Sequence, residues 1–316
     1  MFALRGISVS FSVFVIVYGV LSLAVAASWS KIRLRIGGFA TRRLADSLFA
    51  LRVFPLVGAA TVTLALVVPS FLLLEPRAID EPLGTIPLAL GSCGVLLGIL
   101  GAVTAATALR RAAHGIAACT RGAQLVELPA SVPVLRIPRP VPAMTVAGIC
   151  RPKVLLSEVA EFLLTAGELR TALNHEVAHV ARRDNLKKLV LRLVPFPAMR
   201  GLEAAWLEAI EMAADDDAVS DAHEALDLAA ALIKLARLGP PETPLDLSAA
   251  LVHNPVSAVN ARVERLIAWS AERRETSRKR SPLYSLAAAL VTLSVLALTY
   301  SQLLVQVHAA TEWLVR

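Results

Sequence analysis

A chain of 316 residues with 56% hydrophobic side chains and a mean hydropathy of +0.63 is too apolar to be a pair of ordinary soluble domains, so a lipid bilayer belongs to its solvent. Its 32 basic against 25 acidic side chains leave a formal charge of +7. No basic face with interleaved aromatics accompanies that charge, which argues against direct nucleic-acid binding.

Residues 7–27 form the first expected element, an uncharged run as long as the roughly 20 residues that cross hydrocarbon. Ala24-Val25-Ala26 resembles a signal-peptidase site, yet Lys31, Arg33 and Arg35 follow directly, which suits a retained anchor. Residues 53–74, 86–109 and 283–307 are further runs of this kind, and none of the four contains Asp, Glu, Lys, Arg or His. Buried helices of soluble proteins rarely stay uncharged for so long. Lys31, Arg33, Arg35, Arg42 and Arg43 follow the first span, Arg110 and Arg111 close the third, and Arg273, Arg274, Arg278, Lys279 and Arg280 precede the fourth. The loop after the second span holds one basic residue, Arg77. By the positive-inside rule both termini lie outside and residues 113–281 in the cytosol of a multi-pass inner-membrane protein. The cationic flanks outnumber the net charge and make anionic lipid headgroups the simpler partner. Cys93, Cys119 and Cys150 show no paired spacing and read as small buried hydrophobes of a reducing compartment.

Between spans three and four, short apolar runs over 124–128, 132–137, 143–150 and 153–156 predict a small sheet, with Pro133, Pro138, Pro140 and Pro142 confining some strands to edges where an extended peptide can dock. Helical spacing follows over 157–164, 167–183, 185–194, 203–219, 225–238 and 259–269, the last with Arg262, Glu264 and Arg265 on its wet side.

The string His175-Glu176-Val177-Ala178-His179 is an HExxH motif inside one of these helices. Side chains four apart share a helix face, so both imidazoles reach one ion. Zinc suits them, with Glu176 placed to take a proton from the attacking water and pass it to the leaving amine. A third ligand is expected from Glu211-Met212-Ala213-Ala214-Asp215, with Glu211 on the metal and Asp215 behind it, accepting from the outer nitrogen of a liganding histidine. Asp216 and Asp217 read as surface residues, His223 as a surface histidine, and Asp184 as either a helix cap or a support for the site. His114, His253 and His308 have no ligand spacing.

These residues, together with Arg151-Pro152-Lys153-Val154-Leu155-Leu156-Ser157, Glu168-Leu169-Arg170, Leu173-Asn174 and Arg182-Arg183-Asp184-Asn185, resemble the BlaR/MecR-type antirepressor membrane metallopeptidases, as does the order of three spans, a catalytic domain and a fourth span. The resemblance implies a membrane α+β protein: three spans within 1–112, a cytosolic gluzincin-type, zincin-like domain over 113–281 with a small sheet and an active-site helix, a fourth span over 282–308 and a short tail over 309–316. It implies His175, His179 and Glu211 as Zn2+ ligands, Glu176 as the base, and a cytosolic winged-helix repressor as the protein substrate of a signal-transduction pathway. No penicillin-binding sensor follows the fourth span, so regulation is expected from a separate sensor partner, a homodimer, the membrane, or the short outer loop and tail. HtpX/Ste24-type proteases share the motifs but tend to place spans between them, whereas residues 185–210 here are too charged and proline-broken to cross a bilayer. A membrane signalling scaffold that binds zinc without proteolysis is the alternative from another class, and it has no need of Glu176.

Overall fold

The computed structural model describes residues 2–35, 40–76, 84–138, 143–195, 197–238, 249–250, 256–269 and 299–313. They belong to two compact units, one made of residues 1–29, 53–100 and 275–316 and the other of residues 30–52 and 101–274.

Among the described residues three helices are long and apolar enough to cross a membrane, over Phe2–Leu34, Thr41–Leu74 and Thr85–Cys119. Each outruns the uncharged stretch that marks it, because helical hydrogen bonding continues where the side chains turn amphipathic. Most of the fourth expected span, 283–298, lies outside the described residues, while 299–313 is helical. The first helix is α1 (Phe2–Arg35). The second is made of α2 (Thr41–Val62), a π-helical turn (Thr63–Val67) and α3 (Val68–Leu74). The turn falls where Pro69 lacks the amide that would bond the Ala65 carbonyl in an α-helix. Tyr300 Oη donates to that carbonyl at 2.7 Å.

Within the same unit, α1 packs closely on α4 (Thr85–Cys119), since a Cβ on Gly91 would stand 3.0 Å from the Ser8 backbone and one on Gly94 3.0 Å from Phe11. Gly94 therefore serves contact within the chain. Ser12 Oγ bonds the Pro87 carbonyl at 2.9 Å and Ser70 Oγ the Leu304 carbonyl at 3.0 Å, polar links that hold apolar helices in register. Arg5 pairs with Glu75 at 2.9 Å, and His308 stands 3.8 Å from Glu75 and 3.6 Å from Glu312. Of the cysteines only Cys119 is buried; Cys93 and Cys150 are exposed, against the expectation for all three, because each falls on an outward position of its segment.

The second unit holds a mixed sheet in the order β1 (Gln124–Val126), β2 (Val134–Ile137), β4 (Lys153–Ser157), β3 (Met144–Ala147), β5 (Ala249–Ala250). β2 runs parallel to β4 and the other pairs are antiparallel. Pro133 and Pro138 flank β2, which is paired on both sides rather than confined to an edge, and Pro140 and Pro142 lie outside the described residues. β3 is paired on both sides, with the two residues of β5 along the side away from β4. Val134, Met144, Val146, Val154 and Leu156 form one sheet face against α6 (Ala166–Ala181), α9 (Ala222–Ala236) and α10 (Val256–Ile267). Ile137, Ala147 and Leu155 form the other, against Cys119 and Ile116 at the end of α4. Fully burying each such Val, Leu or Ile stabilises by about 1.5 to 3 kcal/mol, so the covered sheet is the anchor on which the helices rest.

α6 starts with a capping box in which Thr165 accepts from the Glu168 amide at 3.3 Å and the Glu168 carboxylate accepts from the Thr165 amide at 2.8 Å. Lys234 reaches the same carboxylate at 2.7 Å. Burial alone would raise the Glu168 pKa, but Lys234 and the Thr165 amide outweigh it and hold the group below its ordinary 4.5. A depressed carboxyl pKa adds stability that is present at neutral pH and is lost on acidification through that lowered range. Glu168→Gln is expected to lower stability by about 1 to 2 kcal/mol at neutral pH. Thermal melts of the two proteins should converge as the pH falls below 4.5; a constant gap would refute the ionic share of the effect.

Candidate metal centre

α6 buries a line of polar side chains, Glu168, Thr171, His175, Glu176 and His179, among its apolar ones. His175 and His179 lie one turn apart with their Nε2 atoms 3.1 Å from each other. Glu211 comes from α8 (Arg200–Ala218), and its carboxylate oxygens stand 3.6 Å from His175 Nε2 and 3.7 Å from His179 Nε2. Three ligand atoms from three buried side chains thus converge within 4.8 Å of one another. A tetrahedral zinc ion with ligands at 2.0 to 2.1 Å sets its donors about 3.3 Å apart, close to this spacing.

The outer ring nitrogens have partners of their own. His179 Nδ1 is 2.7 Å from Asp184 Oδ2, and His175 Nδ1 is 3.0 Å from Asp215 Oδ1, although off the line of the ring N–H. A carboxylate thus stands against the outer nitrogen of each ring, and both Nε2 atoms face Glu211. Asp184 opens α7 (Asp184–Arg192) after Arg183, whose left-handed backbone (φ 55, ψ 40) turns the chain so that the carboxylate swings back under α6. Asp215 sits one helical turn beyond Glu211 on α8.

Arg262 of α10 closes the cluster. Its Nε and Nη2 bond Asp215 at 2.8 and 2.6 Å, and Nη1 bonds Glu211 Oε2 at 3.0 Å. Burial would raise the Glu211 pKa, but His179, His175 and Arg262 pull it down to about 2, and Asp215 is held far below the usual carboxylate range in the same way. Burial disfavours a charged His175, yet Asp215 and Glu211 outweigh it and raise its pKa to about 9, while burial keeps that of His179 below the ordinary imidazole value.

Glu176 is fully buried beside this centre and belongs to no ligand pair. Its Oε2 accepts from the Val146 amide of β3 at 2.7 Å, and its Oε1 has no hydrogen-bond partner. Burial pushes its pKa up to about 8. A carboxyl so placed exchanges a proton near neutral pH, as a general base requires.

His175, Glu176, His179, Glu211 and Asp215, expected as one constellation, are brought together, and Asp184 joins them behind His179. His223 is exposed near Asp227. His253 lies outside the described residues. Asp217 is exposed as expected, whereas Asp216 is partly covered and receives Thr41 at 2.6 Å together with Arg265. Arg262 corrects the expectation of a wet position, being 5% exposed. Its spacing carried the signal: it lies three residues after Val259 and four before Leu266, on the face that both bury in the core. An arginine on an apolar stripe needs a buried acid to meet it. No family model matches the chain, and a search of curated proteins finds no match.

Proposed function

We propose that the chain is an integral-membrane, zinc-dependent endopeptidase of the BlaR/MecR type. On this reading a fourth span completes the membrane part, residues 113–281 form a cytosolic zincin-like domain, and the substrate is a cytosolic protein such as a transcriptional repressor. The observation that carries the reading is that two Nε2 atoms and the Glu211 carboxylate lie within 4.8 Å of one another, with Asp184 and Asp215 behind the rings. His175, His179 and Glu211 would hold the metal. Zinc at that point supplies a Lewis acid that polarises a carbonyl and acidifies water. Asp184 and Asp215 fix ring orientation and tautomer, and Glu176 takes a proton at Oε1 and returns it to the departing amine. The backbone of β3 holds the other oxygen of Glu176 and so aims the carboxyl.

The full chain, purified in detergent, is expected to bind about one zinc per molecule and to cut an unfolded polypeptide such as casein, with chelation abolishing and zinc restoring cleavage. Absence of zinc affinity overturns the metal reading. Zinc binding without cleavage of casein or of a proteome-derived peptide library favours the scaffold.

A further inference from the structure

We infer that Arg262 is a positioning residue of this metal centre, so that the docking of α10 on α8 and α9 completes the ligand set. The inference rests on the reading of His175, His179 and Glu211 as metal ligands. Val259 and Leu266 seat α10 in the core with Leu228, Leu232 and Leu235 of α9. That seating delivers the guanidinium between two carboxylates of α8. Its fork grips both oxygens of Asp215, which stands behind His175, and its third nitrogen takes Glu211 Oε2. The Glu211 carboxylate is thereby fixed in rotation, with Oε1 left facing His179 at 3.7 Å. No neighbour on α6 or α8 offers that planar, bidentate geometry, and lysine cannot reproduce it.

Two effects of the guanidinium oppose each other. Its positive charge beside a ligand weakens cation binding, whereas its grip on Glu211 and Asp215 pre-organises the site. Outer partners that orient ligands typically account for about 10 to 100-fold in metal affinity, and Arg262 holds both a ligand and the acid behind a second one, so orientation is expected to win. The sign of the change on removal therefore tests the idea. Arg265 supplies the control, since it joins the same two helices through Asp216 and the Met212 carbonyl at 3.3 Å without touching a ligand.

The experiment uses the full chain in detergent, with zinc affinity measured by competition with a chromogenic chelator and Co2+ absorption as a reporter of ligand geometry. Arg262→Met is expected to weaken zinc binding by about 10 to 100-fold, Arg262→Lys to recover part of the loss with an altered cobalt spectrum, and Arg265→Met to match the parent. Affinity equal to or tighter than the parent in both Arg262 variants overturns the inference while leaving the zinc reading intact. If Arg262→Met does not fold, Arg262→Lys decides alone, an unchanged affinity and cobalt spectrum being the overturning result. A parent protein that takes up neither metal overturns this inference and the zinc reading together.

Discussion

Glu176→Gln is expected to reduce peptide cleavage by about 100 to 10,000-fold while the protein keeps its full complement of zinc. The amide has the shape of the carboxyl and retains an oxygen for the Val146 amide, which now bonds Oε2 at 2.7 Å. It cannot accept the proton that Oε1 would take. Metal retention follows because the converging ligand atoms come from His175, His179 and Glu211. Stability should change little, since burial already favours the neutral form of this carboxyl and the amide keeps its shape and its bond to β3. Cleavage rate, zinc content and melting temperature measured on the same preparation check all three statements. Near-parental cleavage would assign the base elsewhere.

The second large effect is expected from Glu211→Ala. It removes a ligand and also one of the two acids facing a buried guanidinium, so metal affinity and folding suffer together. Zinc binding should weaken by more than about 100-fold, beyond the range for loss of an outer partner. The metal-free protein should lose about 1 to 3 kcal/mol, because the charged bond from Arg262 Nη1 to Glu211 at 3.0 Å is removed. Arg262 keeps Asp215, which limits the damage. Chelator competition and thermal melts with and without zinc separate the two losses. An unchanged zinc affinity would remove residue 211 from the ligand set.

Local spacing made the centre of the site legible. His175 and His179 are four positions apart, as are Glu211 and Asp215, one helical turn each, so two helix faces are read directly. Their meeting could be inferred only from the demand of a metal for a third donor. In sequence Asp184 is ambiguous between capping and support; it supports, standing at the first position of α7 without a capping bond and reaching His179 because Arg183 takes a left-handed turn. Arg262 stands beside Glu264 and Arg265, which suggest a polar face in sequence, while its spacing from Val259 and Leu266 puts it on the side that the core buries. Composition alone marked the three spanning helices, whereas their amphipathic extensions depend on packing within the second unit, as where Arg52 is buried against Glu203 at 2.7 Å. β5, at two residues, is too short for any alternation to show.

The π-helical turn at Thr63–Val67 makes one stretch of the second apolar helix depend on a hydroxyl lent by a distant part of the chain. Where water is scarce a backbone carbonyl has few substitutes for such a donor. Residues 63–67 and Tyr300 therefore act as a fastening: sliding one helix along the other first breaks a bond that the surroundings do not replace, and a phenylalanine at 300 would leave the same surfaces in contact but free to slip.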